Sequence, residues 1–303
     1  MKSPILSIIL ALPFWLLSQQ VADTTYNPII QNPAYDIGQG PVVFIDEGHH
    51  NFHTKEGRYK AFSNLLERDG YIVKEYIGEF KKKELSKGKI LVISNALNII
   101  NVEDWFLPNP SAFKKTEIKA VNNWIKKGGS LFLIADHMPM AGAAKDLAAV
   151  FDFDFTNGFV FDTTSWRGTY FNIQDGTLSE NVITKGRDST EHVNQVVSFT
   201  GQGFKIKEDI NPILLLNENC MNYLPDTAWV FNEETTKFNV KGWSQGAFKK
   251  YGKGRVIAFG EAAMFTAQLA GPDRIKAGMN SDVAPQNYKL LLNIVHWLDG
   301  ILE

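Results

Sequence analysis

The sequence predicts an α/β protein with a flavodoxin-like, mostly parallel sheet, helices on both faces, and a β-rich insertion before the last core strand. Short, wholly apolar runs such as Val42-Val43-Phe44-Ile45 are typical of strands buried on both faces. Helix-length segments separate these runs in the first half of the chain. Three runs end abruptly in acidic or histidine side chains, as expected at the ligand-binding edge of an open α/β sheet.

The first four strands alternate with helical segments. A helix after the first strand has an apolar face formed by Tyr59, Phe62, Leu65 and Leu66 and ends at Gly70. Residues 71–77 and 90–94 are the second and third strands. A helix over residues 117–127, with Thr116 as its expected cap, leads into the fourth strand at residues 131–135. This alternation predicts right-handed crossovers between parallel strands.

The alternation stops after a further helix at residues 141–151. Residues 153–250 contain short strand-like pieces among glycine, asparagine and aspartate, and show no long helical pattern. We interpret this segment as a β-rich insertion that could form a wall or lid over the site. The last core strand, at residues 256–260, and a final helix opened by Pro285 follow it. The expected organisation is a signal peptide (1–20), a linker (21–40) and a single domain (41–303).

The start of the chain resembles an export signal, which predicts a periplasmic or secreted protein. Lys2 supplies a positive charge, and a short apolar stretch of residues 5–17 follows it. The small-residue pattern at the expected cleavage region is weak, so an uncleaved anchor stays open as an alternative. Cys220 is the single cysteine among 303 residues and cannot form an internal disulfide.

The net charge of −2 gives no bulk electrostatic reason to bind nucleic acid or an anionic membrane. A small-molecule ligand is the expected partner. We expect no nucleic-acid partner and no membrane span once the signal is removed. The sequence leaves the oligomeric state open.

Polar side chains at three strand ends predict one functional site. Asp46, Glu47, His49, His50 and His53 follow the first strand, Asp136 and His137 follow the fourth, and Glu261 follows the last. Because parallel strands deliver their carboxyl ends to one edge, we expect these residues to be neighbours. The candidate catalytic residues are Asp46, Glu47, Asp136, His137 and Glu261.

Imidazole and carboxylate groups together also suit a divalent metal, either zinc or manganese. The candidate ligands are His49, His50, His53, Asp136 and His137. Acid–base hydrolysis needs no metal and stays open as an alternative. So does a purely structural role, in which Asp46 caps the first helix and the histidines bond to backbone groups. Asn51, Asn95 and Asn280 are candidate substrate-binding residues.

Three motifs carry a resemblance to a known group of proteins. They are Asp46-Glu47-Gly48-His49 with Asn51-Phe52-His53, Ala135-Asp136-His137-Met138-Pro139, and Gly260-Glu261-Ala262-Ala263-Met264-Phe265. Together they resemble an uncharacterised bacterial family, a domain of unknown function on the class I glutamine amidotransferase-like scaffold. The resemblance implies the flavodoxin-type fold. Its wider superfamily includes trehalose-utilisation-like proteins and a β-galactosidase trimerisation domain, which favours a carbohydrate ligand.

One departure from that scaffold bears on mechanism. Glutamine amidotransferases carry a nucleophilic cysteine on a tight turn after a central strand, whereas the corresponding turn here is Ala135-Asp136-His137. A cysteine-dependent mechanism is therefore rejected, and Asp136 could be a ligand, a base or a nucleophile. The first hypothesis is an exported hydrolase, metal-assisted or not, that acts on a glycan or a glycan-derived substrate. The rivals are a non-catalytic carbohydrate- or protein-binding module and an envelope scaffold.

Overall fold

A computed structural model describes residues 20–303, so all but the last residue of the expected signal peptide lies outside the described residues. Its main feature is a nine-stranded mixed sheet in the order β3-β2-β4-β5-β15-β14-β10-β6, with β11 also paired to β14. These strands are β2 (Val42–Asp46), β3 (Ile72–Tyr76), β4 (Ile90–Ser94), β5 (Ser130–Ile134), β6 (Phe153–Phe155), β10 (Phe204–Ile206), β11 (Asn211–Leu215), β14 (Ser244–Tyr251) and β15 (Gly254–Phe259).

Five neighbouring strands of this sheet are parallel. β2 pairs with β3 and with β4, β4 pairs with β5, and β5 pairs with β15. The residues of β4 and β5 are all buried, which explains why their sequences are continuously apolar rather than alternating.

The rest of the structure overturns the predicted fold class. β14 forms an antiparallel hairpin with β15 and also pairs antiparallel with β10 and β11, while β6 pairs antiparallel with β10. Among residues 20–303, four strand pairings are parallel and nine are antiparallel. The fold is thus a β-rich set of mixed sheets. The prediction of a helix-flanked, mostly parallel flavodoxin-like sheet is wrong, because the alternation of strands with helices that indicates parallel pairing ends before residue 153 and most later strands pair antiparallel.

Three small antiparallel sheets surround the main one. They join β1 with β16 and β17, β13 with β12 and β7, and β8 with β9. The segment expected as a linker thus begins in a sheet, since β1 pairs with β16. The strands of these three small sheets are β1 (Gln20–Ala22), β7 (Phe159–Asp162), β8 (Thr169–Asn172), β9 (Gln195–Ser198), β12 (Cys220–Leu224), β13 (Thr236–Asn239), β16 (Ala267–Ala270) and β17 (Ile275–Gly278).

The helices contribute to two hydrophobic clusters. One contains Phe62 of α1 and Leu291 of α6, and the other contains Val121 of α3 and Leu147 of α4. The bounds are α1 (Lys60–Arg68), α2 (Lys82–Leu85), α3 (Lys115–Lys126), α4 (Met140–Ala149), α5 (Val182–Lys185) and α6 (Asn287–Asp299), with 3-10 turns at Ile99–Asn101 and Ala263–Phe265. No helix of residues 20–303 has the length and apolar character needed to cross a membrane.

The start of α3 differs from the sequence prediction in its cap. Lys114, not Thr116, is the N-cap residue, and Glu117 accepts a hydrogen bond from the Lys114 backbone N–H at 3.0 Å. A glutamate at the third helical position can bond back in this way and satisfy a free N–H of the first turn. Glu117 is nevertheless buried, so it also needs partners outside its own helix.

Candidate functional site

A crevice of about 200 Å³ lies beyond the carboxyl ends of β4, β5 and β15. Parallel pairing of β4 with β5 and of β5 with β15 brings the residues that follow these strands to one edge of the sheet. The crevice is lined by Gln20, Phe52, His53, Arg58, Asn95, Trp105, Asp136, His137, Met140, Phe199, Thr200, Trp229, Glu261, Ala263, Gln268 and Ala277.

Glu261 is the most deeply buried acid of the crevice, with a residue exposure of 1%. Its two carboxyl oxygens accept backbone hydrogen bonds from Ala263 and Met264, each at 2.8 Å. Burial, together with the negative charge of Asp136, raises the pKa of Glu261 well above its usual value, despite these backbone N–H groups. Glu261 is therefore able to hold a proton at a pH where an ordinary glutamate is ionised.

Asp136 is the more accessible partner of Glu261. Its backbone N–H donates to Asn95 Oδ1 at 2.8 Å, and its Oδ1 accepts from the His137 N–H at 3.0 Å. Asn95 is buried and has a φ of 48°, a left-handed conformation that asparagine tolerates better than most residues. The end of β4 thus holds the turn after β5, and fixes the Asp136 backbone beside Glu261.

His137 lies among aromatic rings at the same edge. Its ring stacks on Phe159 with centroids 4.2 Å apart and packs edge-on against Trp229 at 4.8 Å. Burial lowers the pKa of His137 below its usual value, although Asp136 and the Met138 carbonyl oppose this shift. In the neutral ring, Nδ1–H donates to Met138 O at 2.7 Å, which leaves Nε2 as an acceptor.

His53 is held in place by aromatic packing and by one hydrogen bond. Its ring packs on Tyr59 with centroids 4.7 Å apart, and Nδ1 lies 3.3 Å from Ser94 Oγ. Burial, with a smaller contribution from the positive charge of Arg58, lowers the pKa of His53 to about 3. His53 is therefore neutral at physiological pH.

His49 belongs to a separate, buried network. Nδ1 lies 2.9 Å from both carboxylate oxygens of Asp46, and Nε2 lies 2.9 Å from Glu117 Oε1. Burial lowers the pKa of His49, but the hydrogen bonds and charges of Asp46 and Glu117 outweigh it and raise the pKa above its usual value. The charged ring ties β2 to α3 and does not line the crevice.

The other candidate residues also lie outside the crevice. Asn51 donates to Asp46 Oδ2 at 3.0 Å and so belongs to the His49 network. Glu47 accepts from the Lys55 backbone N–H at 2.7 Å, and His50 is exposed with a φ of 50°. Asn280 donates to Asp23 Oδ2 and to Gln268 O, each at 3.0 Å. The structure brings together His53, Asn95, Asp136, His137 and Glu261, and separates Asp46, Glu47, His49, His50, Asn51 and Asn280 from them.

Comparison with known proteins adds information about the fold. No protein-family model matches the sequence, and no curated protein matches it. The chain is similar in fold to the mmIFT52 N-terminal domain. The TM-score is 0.59 at 12% sequence identity, over 85% of this chain and 97% of that one. At this identity the likeness concerns the fold alone.

Other structural neighbours include two putative ThuA-like proteins. The one from Bacteroides uniformis has a TM-score of 0.46 at 11% identity and covers 90% of this chain and 94% of its own. The one from Parabacteroides merdae has a TM-score of 0.46 at 12% identity and covers 86% of this chain and 91% of its own. Membership of the specific family of unknown function stays a prediction.

The predicted metal ligands do not all converge, since His53, Asp136 and His137 line the crevice whereas His49 and His50 do not. Across residues 20–303, no group of three or more His, Cys, Asp or Glu side chains is placed to hold an ion. Both ring nitrogens of His49 are bonded to carboxylates, and Nδ1 of His137 is bonded to a backbone carbonyl. His49 therefore offers no free lone pair to a metal, whereas His137 keeps Nε2 free, and a zinc or manganese site stays a prediction.

Four residues outside the predicted catalytic, metal and substrate-binding sets matter for the crevice or for His49. Arg58, Trp105 and Trp229 line the crevice, and Glu117 completes the His49 network. Trp229 has a φ of 66°, and its Nε1 is buried without a hydrogen-bond acceptor in the described part of the chain. Of the four, Glu117 had a signal in the sequence, because it is an acid placed on the buried side of an amphipathic helix.

Gly201 sets the backbone path behind Glu261, and alanine at this position is expected to destabilise the protein by about 2–5 kcal/mol. Gly201 has a φ of +108°, and an added Cβ would lie 2.1 Å from Gly260 O and 2.9 Å from Glu261 Cβ. Chemical denaturation measures the loss. Gly176→Ala is the matched control, with a φ of +76° but nothing within 4 Å. Equal losses in the two variants would show that close packing behind Glu261 is unimportant.

Proposed function

We propose that the protein is a hydrolase that uses Asp136 and Glu261 for general acid–base catalysis on a glycan or a glycan-derived substrate. One observation carries the proposal: two acids at the ends of neighbouring parallel strands face one crevice, and the buried one has a raised pKa. When their surroundings keep one acid protonated and the other ionised, the two can act as proton donor and base.

The two carboxyl groups differ in their roles. Glu261 keeps its proton because burial disfavours the charged form, so it is the general acid. Asp136 is less buried and serves as the base that activates water. His137 is neutral and offers Nε2 as an acceptor, which suits it to orienting a hydroxyl group. No metal takes part in this scheme.

Aromatic walls support a carbohydrate substrate. Phe52, Trp105 and Trp229 line the crevice beside the carboxyl pair. Flat aromatic rings offer apolar contact area for a sugar face, and a tryptophan N–H provides a polar contact beside it. The Trp229 Nε1–H is buried and has no protein acceptor in residues 20–303.

Export is part of the same proposal. The positive residue Lys2 and the apolar stretch of residues 5–17 are typical of a signal peptide, which would carry the enzyme to a compartment where it meets extracellular glycans. Fractionation of cells that express the full chain tests this part. Recovery of the protein only in the cytoplasm would contradict it.

A panel of chromogenic glycosides tests the catalytic proposal. Purified protein is incubated with nitrophenyl glycosides that differ in sugar and anomeric configuration, and release of nitrophenol is followed. We expect turnover of at least one glycoside by the wild type and loss of that turnover in Asp136→Asn. Turnover that persists unchanged in the variant would assign the activity to a contaminant or to another site.

A non-catalytic glycan-binding module is the second candidate. It is favoured by the two backbone bonds that Glu261 accepts, because these bonds give the carboxyl group a structural role at the 3-10 turn Ala263–Phe265. A glycan array separates the two functions. Glycan retention without turnover, unchanged in Asp136→Asn, supports the module. Turnover that depends on Asp136 supports the enzyme.

A further inference from the structure

Arg58 places a positively charged group on the wall of the crevice. Its guanidinium lies over the Phe52 ring, 4.2 Å from the ring centroid. Nη1 donates to the side-chain oxygens of Gln20 and Gln268, the latter at 3.2 Å. Gln20 is the last residue of the expected signal peptide, whereas Gln268 of β16 and Phe52 of the loop after β2 also hold the guanidinium in a chain that has lost that peptide.

No acid of residues 20–303 forms an ion pair with Arg58. Within the described residues, no carboxylate lies within 4.0 Å of the Arg58 guanidinium, and residues 1–19 contain no Asp or Glu that could supply one. Both of its hydrogen bonds in residues 20–303 leave from Nη1 and end on uncharged amides. The edge formed by Nε and Nη2 therefore has no protein acceptor there.

The remaining titratable groups of the crevice do not cancel the charge at close range. His53 and His137 are neutral because burial lowers the pKa of each. Glu261 is buried, with both oxygens facing backbone N–H groups. Asp136 is bonded to its own turn. Arg58 is therefore the one cationic side chain among the crevice residues of the described chain, and no carboxylate of residues 20–303 lies within 4.0 Å of it.

We propose that the free edge of Arg58 binds an anionic substituent of the ligand, a carboxylate or a sulfate on a sugar. This inference rests on the proposed function, since it assigns the substrate class of the same crevice. A guanidinium edge with two parallel N–H groups matches the two oxygens of a carboxylate or sulfate. Neutral amides orient Arg58 without neutralising it, which is the arrangement expected of an anion-binding arginine.

The position of Arg58 relative to the aromatic walls defines the ligand further. Phe52 contacts the guanidinium and also lies 5.6 Å from Trp105, centroid to centroid. A sugar ring packed on Trp105 would thus lie beside the Arg58 guanidinium. The carboxyl pair lies in the same crevice. A uronic acid or a sulfated sugar fits this combination of stacking surface, cation and acid–base groups better than a neutral sugar.

Ligand binding, measured apart from turnover, tests the inference. The probes are D-glucuronate, D-glucose 6-sulfate and D-glucose, titrated into the full protein and followed by ligand-observed NMR. We expect at least one anionic probe to bind wild type about tenfold or more tightly than glucose, because charged hydrogen bonds replace neutral ones. Comparing the affinities for D-glucuronate and D-glucose 6-sulfate shows whether the site prefers a carboxylate or a sulfate. Arg58→Gln should remove this preference.

Controls keep a folding defect from being mistaken for lost recognition. Arg68→Gln removes an arginine that donates to Pro28 O and does not line the crevice, so the anion preference should stay. In wild type, added salt should weaken binding of the anionic probe and leave glucose binding unchanged. Arg58→Lys, which keeps the charge but loses the paired N–H edge, should retain part of the preference.

Three results would each overturn the inference. Wild type could bind glucose and both anions equally, wild type could bind none of the probes, or the anion preference could survive in Arg58→Gln. These outcomes leave the catalytic proposal standing if a neutral glycoside is hydrolysed in an Asp136-dependent manner. If anion binding depends on Arg58 but no glycoside is hydrolysed, the anion site is supported and the catalytic proposal is contradicted.

Discussion

Replacement of His49 by alanine is expected to lower the free energy of unfolding by about 3–5 kcal/mol, the typical cost of removing one partner from a buried ion pair. His49 is the shared partner of Asp46 and Glu117, at 2.9 Å from each. Without the ring, two buried carboxylates lose their common cation. The aromatic rings of Phe80 and Phe113, 4.4 and 4.9 Å away, also lose a packing partner.

The same network gives stability a defined pH dependence. The pKa of His49 is raised above 6.5, so its contribution is complete below that pH and is lost as the pH rises through the folded-state pKa. The pKa of Glu117 is lowered below 4.5, because backbone N–H groups and His49 outweigh its burial. Its contribution is complete above that pH and is lost as the pH falls through the folded-state pKa. The network stabilises most between 4.5 and 6.5.

Urea denaturation over a pH series measures both effects. His50→Asn is the matched control, because His50 is exposed and asparagine tolerates its φ of 50°. This surface substitution should change stability by about 0.5 kcal/mol or less. A loss in His49→Ala no larger than in His50→Asn would contradict the structural role assigned to His49, and would reopen a functional one.

Asp136→Asn is expected to reduce glycoside hydrolysis by about 10²- to 10⁴-fold, the usual contribution of a general base or acid. The change keeps the side-chain volume, and Oδ1 can still accept from the His137 N–H. Stability should therefore stay close to that of wild type. Rates are compared at a fixed substrate concentration, with thermal unfolding measured on the same samples.

The pH profile separates the two carboxyl groups. Because Glu261 donates a proton, wild-type activity should fall as the pH rises through the raised pKa of this residue. Glu261→Gln should abolish most turnover at every pH. Asp146→Asn, which changes an exposed acid on α4, is the control and should leave the rate unchanged. An Asp136→Asn variant with wild-type rates would remove Asp136 from the mechanism.

Local sequence patterns located several elements of the structure. β2, β4 and β5 lie where wholly apolar runs of five or fewer residues indicate buried strands. The acids Asp136 and Glu261 directly follow two such runs, and their place beyond the strand ends needs no information from distant residues. The direction of β6 and β10 could not be predicted in the same way, because their antiparallel pairing depends on which distant strand is available as a neighbour.

The roles of individual polar residues were harder to predict. His49 has the residue type and spacing of a metal ligand, yet Glu117, which is 68 positions away, occupies its Nε2. Arg58 has no distinguishing motif, and its assigned role depends on there being no carboxylate of residues 20–303 within 4.0 Å of its guanidinium. A partner, or the lack of one, is a property of the packed molecule and has no local signature.

The sequence by itself determined the apolar strands of the first half of the chain and the acids and histidines that follow them, because hydrophobic periodicity and turn chemistry are encoded by neighbouring residues. Only the tertiary structure decided that the sheet is mixed, that His49 pairs with Asp46 and Glu117, and that Arg58 lines the crevice with no carboxylate of residues 20–303 within 4.0 Å. Strand pairing and charge pairing join residues far apart in the chain, so their outcome depends on the competition among all possible partners during packing.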